Sequence, residues 1–228
     1  MDNNIAQKIN DEAGNTYDAF ADDFSRTRVT FWQELSFIKD YIKEKAAVLD
    51  VGCGNGRLLT LIDDKPIDYT GIDVSQKLIS IAQKTYPNKK FDVGTIHSLP
   101  YKDNTFDTTI TIAVLHHIPG QELRERSIKE LARVTKKGGI LIITVWNAWK
   151  TRKKDLFFEL GKRIIGKSEL PFGDAFMSFN KKKNARYIHA FKEKELEGLA
   201  KNAGLTIVKL SIYTRPSGEE NFVLVAKK

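Results

Sequence analysis

Apolar and polar positions change their period along this chain in a regular order. Ala46–Val51 is a short apolar run ending in glycines, Arg57–Ile62 opens a helix, and Asp68–Asp73 reads as a second strand. Ser75 stands where its hydroxyl can accept an early free N–H, so a helix is expected from there through Lys84. Lys90–Val93 is a third strand, and Thr108–Val114, rich in β-branched residues, is a fourth. Glu122–Thr135 carries Leu123, Ile128, Leu131, Ala132 and Val134 at helical spacing, with Gly138-Gly139 as the expected stop. Ile140–Trp146 is a fifth, buried strand. This alternation predicts a parallel sheet with helices on both faces.

After Trp146 the pattern breaks. Residues 148–185 are basic and aromatic, punctuated by Gly166, Pro171 and Gly173, and read as an irregular insertion or lid. Glu193–Ala203 is a final helix stopped by Gly204. Leu205–Tyr213 and Asn221–Ala226 are two further strands, joined at Arg215-Pro216-Ser217-Gly218 into an antiparallel hairpin at the sheet edge. Ahead of the first strand, Tyr17–Phe24 and Phe31–Ile42 read as two helices. The expected organisation is one α/β domain over residues 1–228. Helices fill 1–45, a binding core 46–147, a basic insertion 148–190, and a helix with the hairpin 191–228.

Composition narrows the class. With 228 residues, 41% hydrophobic and 29% charged, the chain has the make-up of a soluble globular domain with a sizeable core. No apolar run approaches the roughly 20 residues that cross a bilayer, so no membrane association is expected. Met1–Gly14 is polar and acidic, unlike a signal or transit peptide. Cys53 is the only cysteine, which rules out an intramolecular disulfide and fits a reducing cytoplasm. Net charge is +8, and residues 150–186 hold eleven Lys or Arg against four acids, so that one segment carries +7 of it. Charge concentrated in this way points to a polyanionic partner, against the simpler reading of a solubilising surface.

The chemistry starts at Asp50-Val51-Gly52-Cys53-Gly54-Asn55-Gly56, where a strand ends in an acid and runs into Gly-x-Gly-x-Gly. Glycines let the backbone turn tightly and approach a ligand closely. A dinucleotide site would need Gly-x-Gly-x-x-Gly, and the third glycine position holds Arg57 instead. Asp50 would repel a pyrophosphate but can receive an amino-acid ammonium, which favours S-adenosylmethionine as the cofactor. Asp73 ends the second strand about twenty residues on, where an acid accepts ribose hydroxyls. The expected cofactor set is Asp50, Gly52, Cys53, Gly54, Asp73, Val74, Thr95, Ile96 and Ala113. His116 and His117 follow the fourth strand. Adjacent strand residues face opposite sides, so one of the two is expected to be structural. With no third or fourth ligand nearby, no metal site is expected.

Several segments together resemble a family. Thr95 through Asp107, containing Leu99-Pro100 and Phe106-Asp107, resembles a segment of class I methyltransferases, with Thr95 in place of the acid that meets the adenine amino group. The run Tyr17, Phe20-Ala21, Phe24-Ser25, Thr27-Arg28 and Trp32 resembles the N-terminal signature of the tRNA wobble-uridine methyltransferases that esterify 5-carboxymethyluridine. The likeness continues through Ile112–Ile118, Val145-Trp146 and Arg186-Tyr187 with His189 and Phe191, in matching order over nearly the whole chain. The segment before Arg186 is shorter and richer in lysine than the family's.

This resemblance implies a Rossmann-like, seven-stranded class I methyltransferase fold, mostly parallel with the C-terminal hairpin antiparallel. It implies methyl transfer from S-adenosylmethionine to a carboxylate on tRNA, gripped through the basic 150–186 segment, and a small zinc-binding activator protein as partner. A carboxylate, with a pKa near ~4, is already ionised at neutral pH and needs no base. An arginine fork suits it, so Arg28 and Arg186 are the candidates, with Tyr187 and His116 as hydrogen-bonding partners. For Arg28, binding the carboxylate of the cofactor itself is the competing role. Two other functions compete: a methyltransferase for a small carboxylic acid or other metabolite, and a catalytically silent subunit that binds S-adenosylmethionine or RNA.

Overall fold

The computed structural model describes residues 1–178 and 185–228; Lys181, Lys182 and Lys183 of the basic segment lie outside the described residues. The chain begins with three short helices, α1 (Asn3–Asp11), α2 (Ala13–Asp18) and α3 (Ala21–Thr27), and a 3₁₀ stretch at Gln33–Tyr41. α1 was not expected from its polar composition. Asp2 caps it by accepting from the Asn4 N–H, and Ala6 and Asn10 are its buried positions. The single helix expected over Tyr17–Phe24 is broken between α2 and α3, where Phe20 leaves the helical conformation at φ −129°.

Alternating strands and helices follow: β1 (Ala47–Val51), α4 (Leu59–Ile62), β2 (Asp68–Asp73), α5 (Gln76–Thr85), β3 (Lys90–Val93), β4 (Phe106–Ile112), α6 (Gln121–Val134) and β5 (Thr135–Trp146). The Ser75 hydroxyl accepts the Leu78 N–H and caps α5, as its position in the sequence predicts. The stop expected at Gly138-Gly139 is corrected. α6 ends at Val134 because Thr135 turns extended, its hydroxyl donating to Leu131 O and meeting Thr109 Oγ1, and the two glycines lie inside β5.

The insertion is not irregular. It forms α7 (Ala148–Thr151), α8 (Lys153–Ile164) and a separate antiparallel pair, β6 (Asp174–Ser178) with β7 (Ala185–His189). Ala148, Leu156, Ala175, Met177, Ile188 and Ala190 give it a small core of its own, against Trp146 and Trp149. The chain finishes with α9 (Glu193–Asn202), β8 (Thr206–Thr214) and β9 (Glu220–Lys227).

The main sheet has seven strands in the order β3-β2-β1-β4-β5-β9-β8, parallel except that β9 runs antiparallel to both β5 and β8. Side chains alternate between its faces. Leu141, Ile143 and Val145 of β5 pack with α6 and α9 residues on one side, while Ile140 and Ile142 pack with Leu35, Ile38, Leu59 and Ile79 on the other. The order reverses between β1 and β4. Their carboxyl ends therefore open a crevice, the place where ligands bind in open α/β sheets. No helix among the described residues is long and apolar enough to cross a membrane.

β9 lies between β5 and β8, and its Leu224 is fully buried. Leu224→Ala is expected to lower unfolding stability by about 2–5 kcal/mol, the range for a truncated core leucine, measured by urea denaturation.

Candidate functional site

A cavity of about 440 Å³ occupies the crevice, a size typical of cofactor sites. All nine expected cofactor residues line it: Asp50, Gly52, Cys53, Gly54, Asp73, Val74, Thr95, Ile96 and Ala113. The loop after β1 bends through positive φ at Gly52 (75°), Gly54 (57°) and Gly56 (78°). A Cβ at Gly52 would stand 2.2 Å from Val114 Cγ2, and one at Gly54 3.3 Å from the Phe24 ring, so the cradle depends on glycine. Ala113 also takes a positive φ, 58°, where β4 ends and the chain turns under the cavity.

Two buried carboxylates form the floor. One oxygen of Asp73 accepts Gly54 N at 2.8 Å and the other accepts Ser75 N at 2.9 Å. Asp50 accepts the Tyr69 hydroxyl at 2.9 Å. Burial pushes the Asp50 carboxyl up to about 7, the negative charge of Asp73 adds to the rise, and the Tyr69 bond and Arg57 oppose it. Burial raises the Asp73 carboxyl as well. The pair calls for a cation, and the ammonium and sulfonium of S-adenosylmethionine supply one. The Cys53 thiol is held protonated by burial and by both carboxylates, so it serves as packing and not as a nucleophile.

The same cavity is lined by Arg28, Arg57, Arg152, Arg186 and Arg215, together with Trp32, Trp146 and the carboxylates Glu219 and Glu220. Arg28 lies over the Phe24 ring at 4.2 Å, and its carbonyl accepts from Asn55 of the glycine loop at 3.2 Å. Arg186 sits among Tyr17, Phe20 and Trp146, 5.7–6.0 Å from their ring centres. Arg57 stacks on Trp32 at 4.3 Å, and burial followed by repulsion from Arg28 and Arg215 brings it down to about 10. Arg215 is matched by Glu34 and Glu219. Trp32, Arg57, Arg152 and Arg215 were missed as site residues. Arg215 was read only as a turn residue and Arg57 only as a departure from a glycine pattern.

The structure treats the histidines differently from the alternation rule. They lie on a 3₁₀ turn, Leu115–His117, after the strand has ended, with ring centres 4.2 Å apart. His117 lines the cavity and donates from Nδ1 to Tyr187 O at 2.7 Å; His116 does not line it and is fully buried against Trp146. Burial, then positive neighbours, lowers both, His117 to about 3, so both are neutral at pH 7. Tyr187 is also turned away from the cavity, its hydroxyl donating to Asp174 at 2.6 Å.

Tyr187 belongs to a buried latch. His189 reaches Asp174 at 2.6 Å from Nδ1 and Glu195 at 2.8 Å from Nε2, so it joins β6 to α9 beside Arg186. Arg124 stands 3.8 Å from Glu195. Burial and Arg124 oppose protonation of His189, but the two carboxylates outweigh them and its pKa is raised. The stabilisation is therefore complete below the unfolded value of about 6.5 and is lost as pH rises through the raised folded value. The melting temperature is expected to fall above about pH 6.5 in the native protein, and His189→Gln to remove that part of the fall, as read by calorimetry across pH 6–9.

Comparison with known proteins agrees with this geometry. A family model described as a methyltransferase domain matches residues 49–143. A tRNA (carboxymethyluridine(34)-5-O)-methyltransferase of Arabidopsis thaliana is 38% identical over 132 residues, 58% of this chain and 32% of that protein. The chain thus spans about a third of that relative's length. A candidate methyltransferase of Encephalitozoon cuniculi is 30% identical over 194 residues, 84% of this chain and 86% of that one. A crystal structure of an S-adenosylmethionine-dependent methyltransferase from Methanosarcina mazei superposes with a TM-score of 0.74 at 25% identity, over 87% of this chain and 98% of that one. With an acid–glycine floor at the switch point of its sheet and these relatives along its length, the chain belongs to the S-adenosylmethionine-dependent methyltransferases.

Proposed function

We propose that the protein moves the methyl group of S-adenosylmethionine to the carboxylate of 5-carboxymethyluridine at the tRNA wobble position, working as the single domain expected from the sequence. The observation that carries this reading is a cavity lined by two buried acids and five arginines, beside histidines held neutral. The cofactor supplies a methyl group activated by its sulfonium. The acceptor carboxylate is ionised before it arrives, so the residues here have only to bind, orient and exclude water, and orientation alone is a large source of rate. Asp50 takes the cofactor ammonium and Asp73 its ribose. Arg28, tied to the glycine loop, takes the cofactor carboxylate. Arg186, beside Trp146 at the end of β5, holds the acceptor carboxylate.

Two partners complete the reading. tRNA phosphates meet the basic 150–186 segment. A small zinc-binding activator protein covers β3, a four-residue edge strand with Val93 exposed, by adding a strand to it.

The test is a transfer assay with methyl-labelled S-adenosylmethionine and tRNA from cells blocked in the final esterification, digested to nucleosides. Base-labile label in the carboxymethyluridine ester is expected; no label despite cofactor binding and an added activator would sink the proposal. In the same assay Arg186→Ala is expected to lower kcat/KM for tRNA by roughly 100-fold, as for loss of one side of a buried ion pair. Arg28→Ala is expected instead to raise the KM for the cofactor.

The floor predicts a pH dependence. Asp50 sits near about 7 before a cation arrives. Below that pH its proton competes with the cofactor ammonium, so affinity falls as pH drops, by up to about tenfold per unit. Titration calorimetry between pH 5.5 and 8 is expected to show this slope, and Asp50→Asn a weaker but flat profile.

A further inference from the structure

A second cavity of about 290 Å³ opens on the insertion, between α8 and the chain leading into β6. Trp149 and Lys153 line it, while Thr151 and Arg152, between them in sequence, line the catalytic cavity, so one turn of chain separates the two. Its walls are aromatic and open. Phe157 is 68% exposed and Phe172 60%. Phe172 lies 5.2 Å from Trp149 with their planes 37° apart, and the indole is fixed by its bond to Ala190 O at 2.8 Å. Lys153 and Arg163, both exposed, line it with the buried and hydrogen-bonded acids Glu159 and Asp174, and Lys154 and Lys167 of the same segment are exposed.

Exposed aromatic rings set among cations are the arrangement that holds single-stranded nucleic acid, with bases stacked on the rings and phosphates on the charges. The exposed cations around it, Lys153, Lys154, Arg163 and Lys167, favour a polyanion over an apolar peptide. We propose that this groove holds the base of a nucleotide next to the methyl acceptor in a single-stranded RNA loop, stacked on Phe172 and Phe157, with its phosphates on Lys153 and Arg163. This rests on the RNA reading above and adds to it a second anchor. The loop is held on both sides of residues 149–153, and the acceptor base is splayed from its neighbour into the catalytic cavity.

The probe is a set of RNA hairpins carrying 5-carboxymethyluridine in the loop, each with 2-aminopurine at one flanking position, bound to the full-length protein. Quenching at one flanking position is expected on binding. Phe172→Ala and Phe157→Ala should abolish the quenching and weaken binding roughly tenfold, and Phe172→Trp should preserve both. The surface pair Lys153→Glu and Arg163→Glu should lower the slope of log affinity against log salt by about two. If the hairpin is still methylated while both phenylalanine variants bind and quench normally, the groove proposal is overturned and the wobble-uridine reading stands. Quenching without esterification removes that reading and leaves the groove. A hairpin that is neither bound nor methylated removes both, and a groove that takes an apolar peptide while ignoring RNA overturns the groove alone.

Discussion

One carboxylate oxygen of Asp73 accepts the Gly54 N–H and the other accepts the Ser75 N–H, so a single side chain ties the end of β2 to the glycine loop after β1 and to the first turn of α5. Burying a carboxylate is costly unless its lone pairs are matched, and here two fixed backbone donors match them. The tie joins the backbone bonds from Gly52 N and Cys53 N to Ile72 O, and from Gly56 N to Cys53 O, in holding the left-handed glycines of the loop. It also places the Asp73 charge close enough to raise Asp50. Two acids gathered in this way, with Arg57 only partly offsetting their charge, make a site in tension. A positively charged ligand relieves it, which is a physical reason for such a floor to select a sulfonium over a pyrophosphate.

The sheet was legible because its strands carry their burial in their composition. β1 and the end of β5 are apolar on both faces, and β9 has six consecutive buried residues. All seven main-sheet strands and the Ser75 cap follow from such local signals. The insertion was not legible. α8 carries Phe157, Phe158 and Ile164 exposed and only Leu156 and Glu159 buried, so its apolar positions do not mark one inward face. The pairing of β6 with β7 is likewise set by their packing on Trp146 and α8, which no local pattern records. The misplaced helix stop is a case of competition: Thr135 turns extended three residues before Gly138, its hydroxyl bonding back to Leu131 O.

In the site, backbone-dictated residues are readable, whereas Trp32, Arg57, Arg152 and Arg215, which come from four separate segments, are not. Glycines and strand-end acids announce themselves through spacing. The family resemblance makes His116 and Tyr187 hydrogen-bonding partners for the acceptor, but Ala113 turns the chain out of β4 before His116 is reached, and Asp174 draws the Tyr187 hydroxyl the other way. What remains is a set of arginines drawn from the residue after α3, the glycine loop, the insertion and the β8–β9 turn. No single segment could have shown that convergence, since each contributes one or two charges.

The convergence explains how a transferase can work without a proton acceptor. His117 is spent on Tyr187 O and lies far below neutrality, and His116 is buried behind it, so neither is poised to take a proton near pH 7. An alcohol or amine acceptor would need such a group; a carboxylate does not. Burial first, and then repulsion among the arginines, lowers Arg28 and Arg57, while burial and the charge of Asp73 raise Asp50. On the proposed reading an incoming carboxylate relieves the first strain and an incoming cation the second, so each reactant is drawn in by charge of the opposite sign.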